Sequence, residues 1–235
     1  WKMTFIVLAI LTGVSLVGTF LLQETLPVKE RTQSSTIQTI LGLRKVAKNP
    51  NFSSLLLVGA LIAAPFMAYL ALASYIYIDG FGVSETTFSM YFALNAGASI
   101  LGPVMYMRFG AGSVKKVISA GIIVAIISAI LILTIGNASP IIFLLSYVLY
   151  SIMTSYFRPL ISDLLLSATK TDVGATSSVM NFGFTVIGSI GMVVGSLQWS
   201  SYTGGLGITM LIFIALTMIV WLYLLKAKSI RFDWK

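Results

Sequence analysis

The 235-residue chain has no cysteine, no histidine and very little charge, with 15 basic and 7 acidic residues making 9% of the total. Without cysteine there is neither a disulfide framework nor thiolate chemistry. Without histidine the usual zinc ligand and the side chain that titrates near neutral pH are both missing, so zinc hydrolysis and Ser-His nucleophilic catalysis are excluded. The scarcity of carboxylates removes another class. Asp79, in "YIDGFG", lacks the second membrane carboxylate and glycine motif that an intramembrane aspartyl protease requires. Nor is there a TVGYG-like potassium filter. No enzyme constellation is left, and nothing calls for a metal or cofactor. A soluble domain is about 25% charged, so no water-soluble surface can be assembled from this composition.

What the chain has instead is apolar length: 57% of it is hydrophobic, and Phe52 to Ile78, Thr86 to Met107 and Val117 to Phe157 carry no charge at all. A bilayer span needs about 20 apolar residues, and backbone groups in lipid must pair within helices or a closed barrel. These runs lack the strict alternation of barrel strands. The expected fold is therefore all-α, a polytopic transmembrane bundle of about seven spans: Met3 to Leu22, Ser53 to Ile78, Thr86 to Met107, Val114 to Ile135, Pro140 to Ser162, Gly174 to Leu197 and Leu206 to Leu225.

The loops give the orientation. Lys29, Arg31, Arg44, Lys45, Lys48, Arg108, Lys115, Lys116, Lys170, Lys226, Lys228, Arg231 and Lys235 fall on one side and Lys2 alone on the other. Basic residues collect in cytoplasmic loops, which predicts a cytoplasmic carboxyl terminus and an external amino terminus. Because these charges lie in short loops and not along one soluble face, the net charge of +8 does not point to nucleic acid. The first span is too long for a signal peptide's apolar region and ends in Gln23-Glu24-Thr25 instead of a small-residue cleavage site. The expectation is that the chain is a piece of a longer protein. In the long basic loop, Ile37, Ile40, Leu41 and Val46 have near-helical spacing, as in a short amphipathic helix on the membrane or a simple tether.

Polar stripes along four spans supply candidate site residues, because polar side chains in a membrane helix usually face the bundle interior or a wet cavity. They run through Phe66, Tyr69, Ala73 and Tyr77; through Phe88, Tyr91, Asn95, Ser99 and Gly102; through Tyr147, Tyr150, Ser151, Thr154, Arg158 and Ser162; and through Ser178, Asn181, Phe182, Thr185 and Ser189. Interhelical hydrogen bonding is the competing explanation. Ala93 with Gly97, and the ridge Gly188, Gly191 and Gly195, read as packing faces. Pro65 predicts a bend near mid-span. Arg158 lies 18 residues beyond Pro140, about 27 Å along a helix. That places it near the cytoplasmic edge, where it either snorkels or closes a cytoplasmic gate.

Taken together, "ETLP" at Glu24 to Pro27, "FMAYLALASYIYIDGFGVSETTFSMYFALNA" from Phe66 to Ala96, and Pro159 followed by "VGATSSVMNF" from Val173 to Phe182 resemble the drug:proton antiporters of the major facilitator superfamily, in particular the bicyclomycin and chloramphenicol resistance group (Bcr/CflA). The resemblance implies helices six to twelve of a twelve-helix transporter. Residues 1–22 would be the last helix of the amino-terminal bundle, 23–51 the cytoplasmic inter-bundle loop, 52–225 the carboxyl-terminal six-helix bundle and 226–235 a cytoplasmic tail. Arg158 and Leu160 flank Pro159 where the group commonly has other residues, and Arg108-Phe109-Gly110 is a worn form of the family's basic loop motif.

The implied function is proton-coupled efflux of small drug-like compounds across the bacterial cytoplasmic membrane. Its partners would be the substrate, protons, the lipid bilayer and the amino-terminal half of the transporter. The candidate cavity lining is Phe66, Tyr69, Tyr91, Asn95, Tyr147, Tyr150, Thr154, Asn181 and Phe182, with Arg158 as the gate. The spans hold no central Asp, Glu or His, so the coupling carboxylate is expected outside this chain. The rivals are a metabolite uptake symporter of the same superfamily, which a charged pair deep in the membrane would favour, and a noncatalytic membrane scaffold or receptor.

Overall fold

Where the chain leaves a loop and enters a span, its sequence carries helix-starting residues. Asn49 caps the helix that begins at Pro50, its side chain accepting from the amides of Asn51 and Phe52. Ser84 accepts from the amide of Thr87, and Ser139, just before Pro140, from that of Ile142. A computed structural model describes residues 2–22, 36–110, 112–168 and 173–226. Among these the elements are α1 Lys2–Phe20, α2 Thr36–Ala47, α3 Pro50–Ser74 continued by a π-helical turn Tyr75–Gly80, α4 Glu85–Ser99, α5 Leu101–Phe109, α6 Val114–Thr134, α7 Pro140–Ser167, α8 Val173–Gly195 and α9 Tyr202–Lys226. No strand occurs among the described residues. Residues 23–35 with "ETLP", 169–172 with Lys170, and 227–235 with most of the tail lie outside them.

Among the described residues, seven stretches are long and apolar enough to cross a membrane: Lys2–Phe20, Pro50–Gly80, Glu85–Phe109, Val114–Thr134, Pro140–Ser167, Val173–Gly195 and Tyr202–Lys226. These are the seven spans read from the sequence, with ends shifted by a few residues. The chain divides into two compact units, residues 1–38 and 39–235. Within the first, α1 is apolar around its circumference, and its Thr12, Ser15 and Thr19 hydroxyls donate to carbonyls of the preceding turn.

In the second unit α3 is the central helix, packed on α7, α8 and α9, while α6 lies between α7 and α9, and α4 and α5 lie on α7. The end of α2 joins this bundle through buried Val46 and through Leu43. The closest seam is α3 on α8. There Gly183 meets Leu56, Gly188 meets Met67, Gly191 meets Ala64 and Gly195 meets Ala68, and a methyl on Gly191 would lie 2.4 Å from the Ala64 carbonyl oxygen. The predicted glycine ridge is thus a packing seam, formed because small residues let two backbones approach.

Two local expectations are corrected. The third span is not one helix: Pro103 has no N–H for the carbonyl of Ser99, and the chain tightens there, with the Ile100 amide donating to Gly97 at 3.2 Å. Ala93 and Gly97 do not pack within the bundle, for both are exposed and nothing lies within 4 Å of a methyl on Gly97. The close approach is made by Gly102, where a methyl would be 2.5 Å from the Tyr156 amide nitrogen. Through Pro65 the turns of α3 remain α-helical, and a π turn follows at the end of the helix, where Phe81 donates to Ile76.

Candidate functional site

Helix α7 carries residues of two unlike regions. Its first half presents Phe143, Tyr147 and Tyr150, all fully buried, to the second half of α3 and the first half of α4. Tyr69 and Tyr147 stack with centroids 4.0 Å apart, Tyr77 and Tyr91 stack at 5.2 Å, and Phe143 meets Tyr77 edge-on at 5.4 Å. Tyr69, Tyr77 and Tyr147 have no exposed surface, and their phenol oxygens find no hydrogen-bond partner among the described residues, nor do the Asn95 Oδ1 and Ser151 Oγ nearby. Tyr150 differs, since its phenol donates to the carbonyl of Ile62 on α3.

The second half of α7 borders a cleft of about 140 Å³. Phe66 comes from α3, Thr154, Phe157 and Arg158 from α7, and Asn181, Phe184 and Thr185 from α8. The Thr185 hydroxyl is engaged locally, donating to the Asn181 carbonyl at 2.8 Å. The exposed Ser178 and Ser189 hydroxyls likewise donate to their own helix, at 2.9 and 2.8 Å. Such side chains can face lipid at little cost, so on this face only the Asn181 amide asks for an outside partner.

Arg158 is exposed and borders a second cleft on the other flank of α7, beside Ser99, Pro103 and Ser162. It has no ion pair or hydrogen bond from its guanidinium among the described residues. The nearest acid along the helix, Asp163, accepts from the phenol of Tyr106, while Tyr156 donates to the Gly110 carbonyl at 2.6 Å. Those two bonds tie α5 to α7 and leave Arg158 outside the network. Among the described residues no cluster of three His, Cys, Asp or Glu could hold a metal.

The sequence-derived candidates therefore separate. Phe66, Thr154, Arg158 and Asn181 line one cleft, whereas Tyr69, Tyr91, Asn95, Tyr147 and Tyr150 belong to the aromatic core. Phe182 is 70% exposed and is not in the cleft lining. Phe184 occupies that place, because three residues beyond Asn181 returns near its face while one residue turns about 100° away. Phe157 and Phe184 were missed as candidates, although the i, i+3 relation to Thr154 and Asn181 marks both.

Known proteins give the family. The profile described as Major Facilitator Superfamily matches residues 1–192. A protein of Bacillus subtilis (strain 168), named an uncharacterized MFS-type transporter YdgK, is 31% identical over 115 residues, covering 48% of this chain and 28% of that protein. The chain thus matches less than a third of the length of that relative. Seven apolar spans, a second unit holding six of them and a profile match over most of the sequence agree, and the chain belongs to the major facilitator superfamily.

Proposed function

We propose that this chain is part of a secondary transporter in the bacterial cytoplasmic membrane, one that exports small drug-like compounds in exchange for protons. The observation carrying the reading is the cleft among α3, α7 and α8, which combines three phenylalanine rings with two threonines, a serine, an asparagine and an arginine. A mostly apolar hollow with a few convergent polar groups is the usual form of a small-molecule site. Drug efflux and proton exchange are supported by the resemblance to the Bcr/CflA group, and transport itself by family membership and by the name of the Bacillus relative. Arg158 serves as the cytoplasmic gate, engaging carbonyls or a carboxylate of another helix when the transporter opens outward. The exposed Asn181 supports an amino-terminal half as the partner completing the site.

The test uses the full-length protein in everted vesicles. A pH gradient is expected to drive accumulation of a fluorescent drug-like dye, and its collapse by an uncoupler to release it. No gradient-dependent movement of any dye in a chemically varied panel sinks the reading. Orientation is checked in intact cells with an impermeant thiol reagent, which should label cysteines at positions 85 and 204 and spare those at 45 and 228.

A further inference from the structure

Resting on that transport reading, we propose that the cleft selects compounds bearing an anionic group, held by Arg158, with an aromatic or apolar body against Phe66, Phe157 and Phe184. Among the described residues the carboxylates are Asp79, Glu85 and Asp163, and none lines the cleft. Asp163 is engaged by Tyr106. Among the described residues the guanidinium is thus the one full charge lining the cleft, and the other polar lining groups, Thr154, Ser155, Asn181 and Thr185, are neutral.

The chemistry of the group then decides what it takes. A guanidinium stays protonated at any working pH and offers five N–H donors in a planar fork, with nothing to accept. Arg158 meets no acceptor among the described residues, so its fork is left open to a ligand. Carboxylates and phosphates fit that fork with two parallel bonds. A cation entering the same hollow meets a like charge and no carboxylate, so it is disfavoured on both counts.

Placement adds an orientation. Thr154 and Arg158 are one turn apart on α7, about 6 Å along its axis, and Phe66 enters the same hollow from near the middle of α3. An anionic head at Arg158 therefore directs the apolar body toward the centre of the span. An anionic group on an apolar body describes a soluble organic acid and also a phospholipid of the surrounding bilayer, and the experiment separates these sources.

The full-length protein is placed in nanodiscs of phosphatidylcholine. Binding of 2-naphthoate, 2-naphthamide and 2-naphthylmethylammonium, which share one skeleton, is followed by tryptophan fluorescence, and pH-driven uptake of each is measured in proteoliposomes. Naphthoate is expected to bind roughly ten- to a hundredfold tighter than the amide, the span of a charge-assisted hydrogen bond, and the ammonium most weakly. Arg158→Gln should bring naphthoate down to the amide. Arg158→Lys, which keeps the charge without the fork, should retain part of the preference, and it serves if the glutamine variant does not fold.

Three results overturn the proposal: no naphthoate binding, amide or ammonium binding as tight as naphthoate, or a naphthoate preference that survives Arg158→Gln. If phosphatidylglycerol gives Arg158-dependent thermal stabilisation while naphthoate binds nowhere, the anion is lipid and the soluble-substrate proposal fails. Uptake of the amide or ammonium without naphthoate keeps the transport reading and removes the anion preference. Arg158-dependent naphthoate binding without gradient-driven uptake of any probe does the reverse.

Discussion

Along α7 the aromatic core gives way to the cleft within about two helical turns. Tyr150 is fully buried and bonded to the Ile62 carbonyl, whereas Arg158 is exposed and has no partner among the described residues. The two regions use polar atoms in opposite ways. In the core, stacked rings fill space so closely that three phenols are buried with no acceptor, and packing outweighs their hydrogen bonding. In lipid, where helices gain little from hydrophobic burial, such van der Waals packing is the main force holding them together. At the cleft the Thr154 hydroxyl is buried and the Thr185 hydroxyl bonds its own helix, but the Asn181 and Arg158 side chains stay exposed, so their bonding capacity is available to a ligand. A polar stripe on a membrane helix does not by itself mark a cavity: the same stripe on α7 is core at one end and cleft at the other.

The sharpest way to break this contrast is to empty the core. Tyr147→Ala is expected to lower stability by about 3–5 kcal/mol, the range for deleting a large buried aromatic side chain, read as thermal unfolding in detergent. A variant as stable as the parent shows that the core is not closed there. Next, Gly191→Ala forces α3 and α8 apart, since its methyl meets backbone at 2.4 Å. About 1–3 kcal/mol should be lost, together with resistance to proteolysis. Smaller effects separate the tyrosines. Tyr150→Phe removes the bond to Ile62 and should cost about 1 kcal/mol, while Tyr69→Phe removes an unpaired phenol and should leave the unfolding temperature equal or higher. A matching loss at both positions would mean that Tyr69 has a partner in another state of the protein. The smallest expected change is that of Asn181→Ala, which should shift stability by less than about 0.5 kcal/mol yet weaken transport by the full-length protein. Unchanged transport removes Asn181 from the site.

Much of the architecture was legible in the residue order. Charge-free runs of 20 residues or more have few fates in a bilayer, so the seven spans followed, and the ridge of Gly188, Gly191 and Gly195 announced the α3–α8 seam. Less visible was which small residues pack. Ala93 and Gly97 have the right spacing, but α4 turns Asn95 and the following α5 turns Gly102 to the bundle instead. The candidate site was legible only as helix faces. Periodicity placed Phe66, Thr154, Arg158 and Asn181 on faces that converge, and it placed Tyr69, Tyr91, Asn95 and Tyr147 on equally polar faces that close into the core.

By itself, then, the sequence determined the class of the protein, the number of its spans and the asymmetry of its basic loops, because each depends on composition over a stretch of chain and not on any neighbour. Tertiary structure alone decided which tyrosines stack out of reach, which phenylalanines line the cleft and that Arg158 stands apart from Asp163 while Tyr106 engages that carboxylate. Those outcomes depend on how helices distant in sequence meet, and a single helix's pattern specifies which residues share a face without specifying what that face will touch.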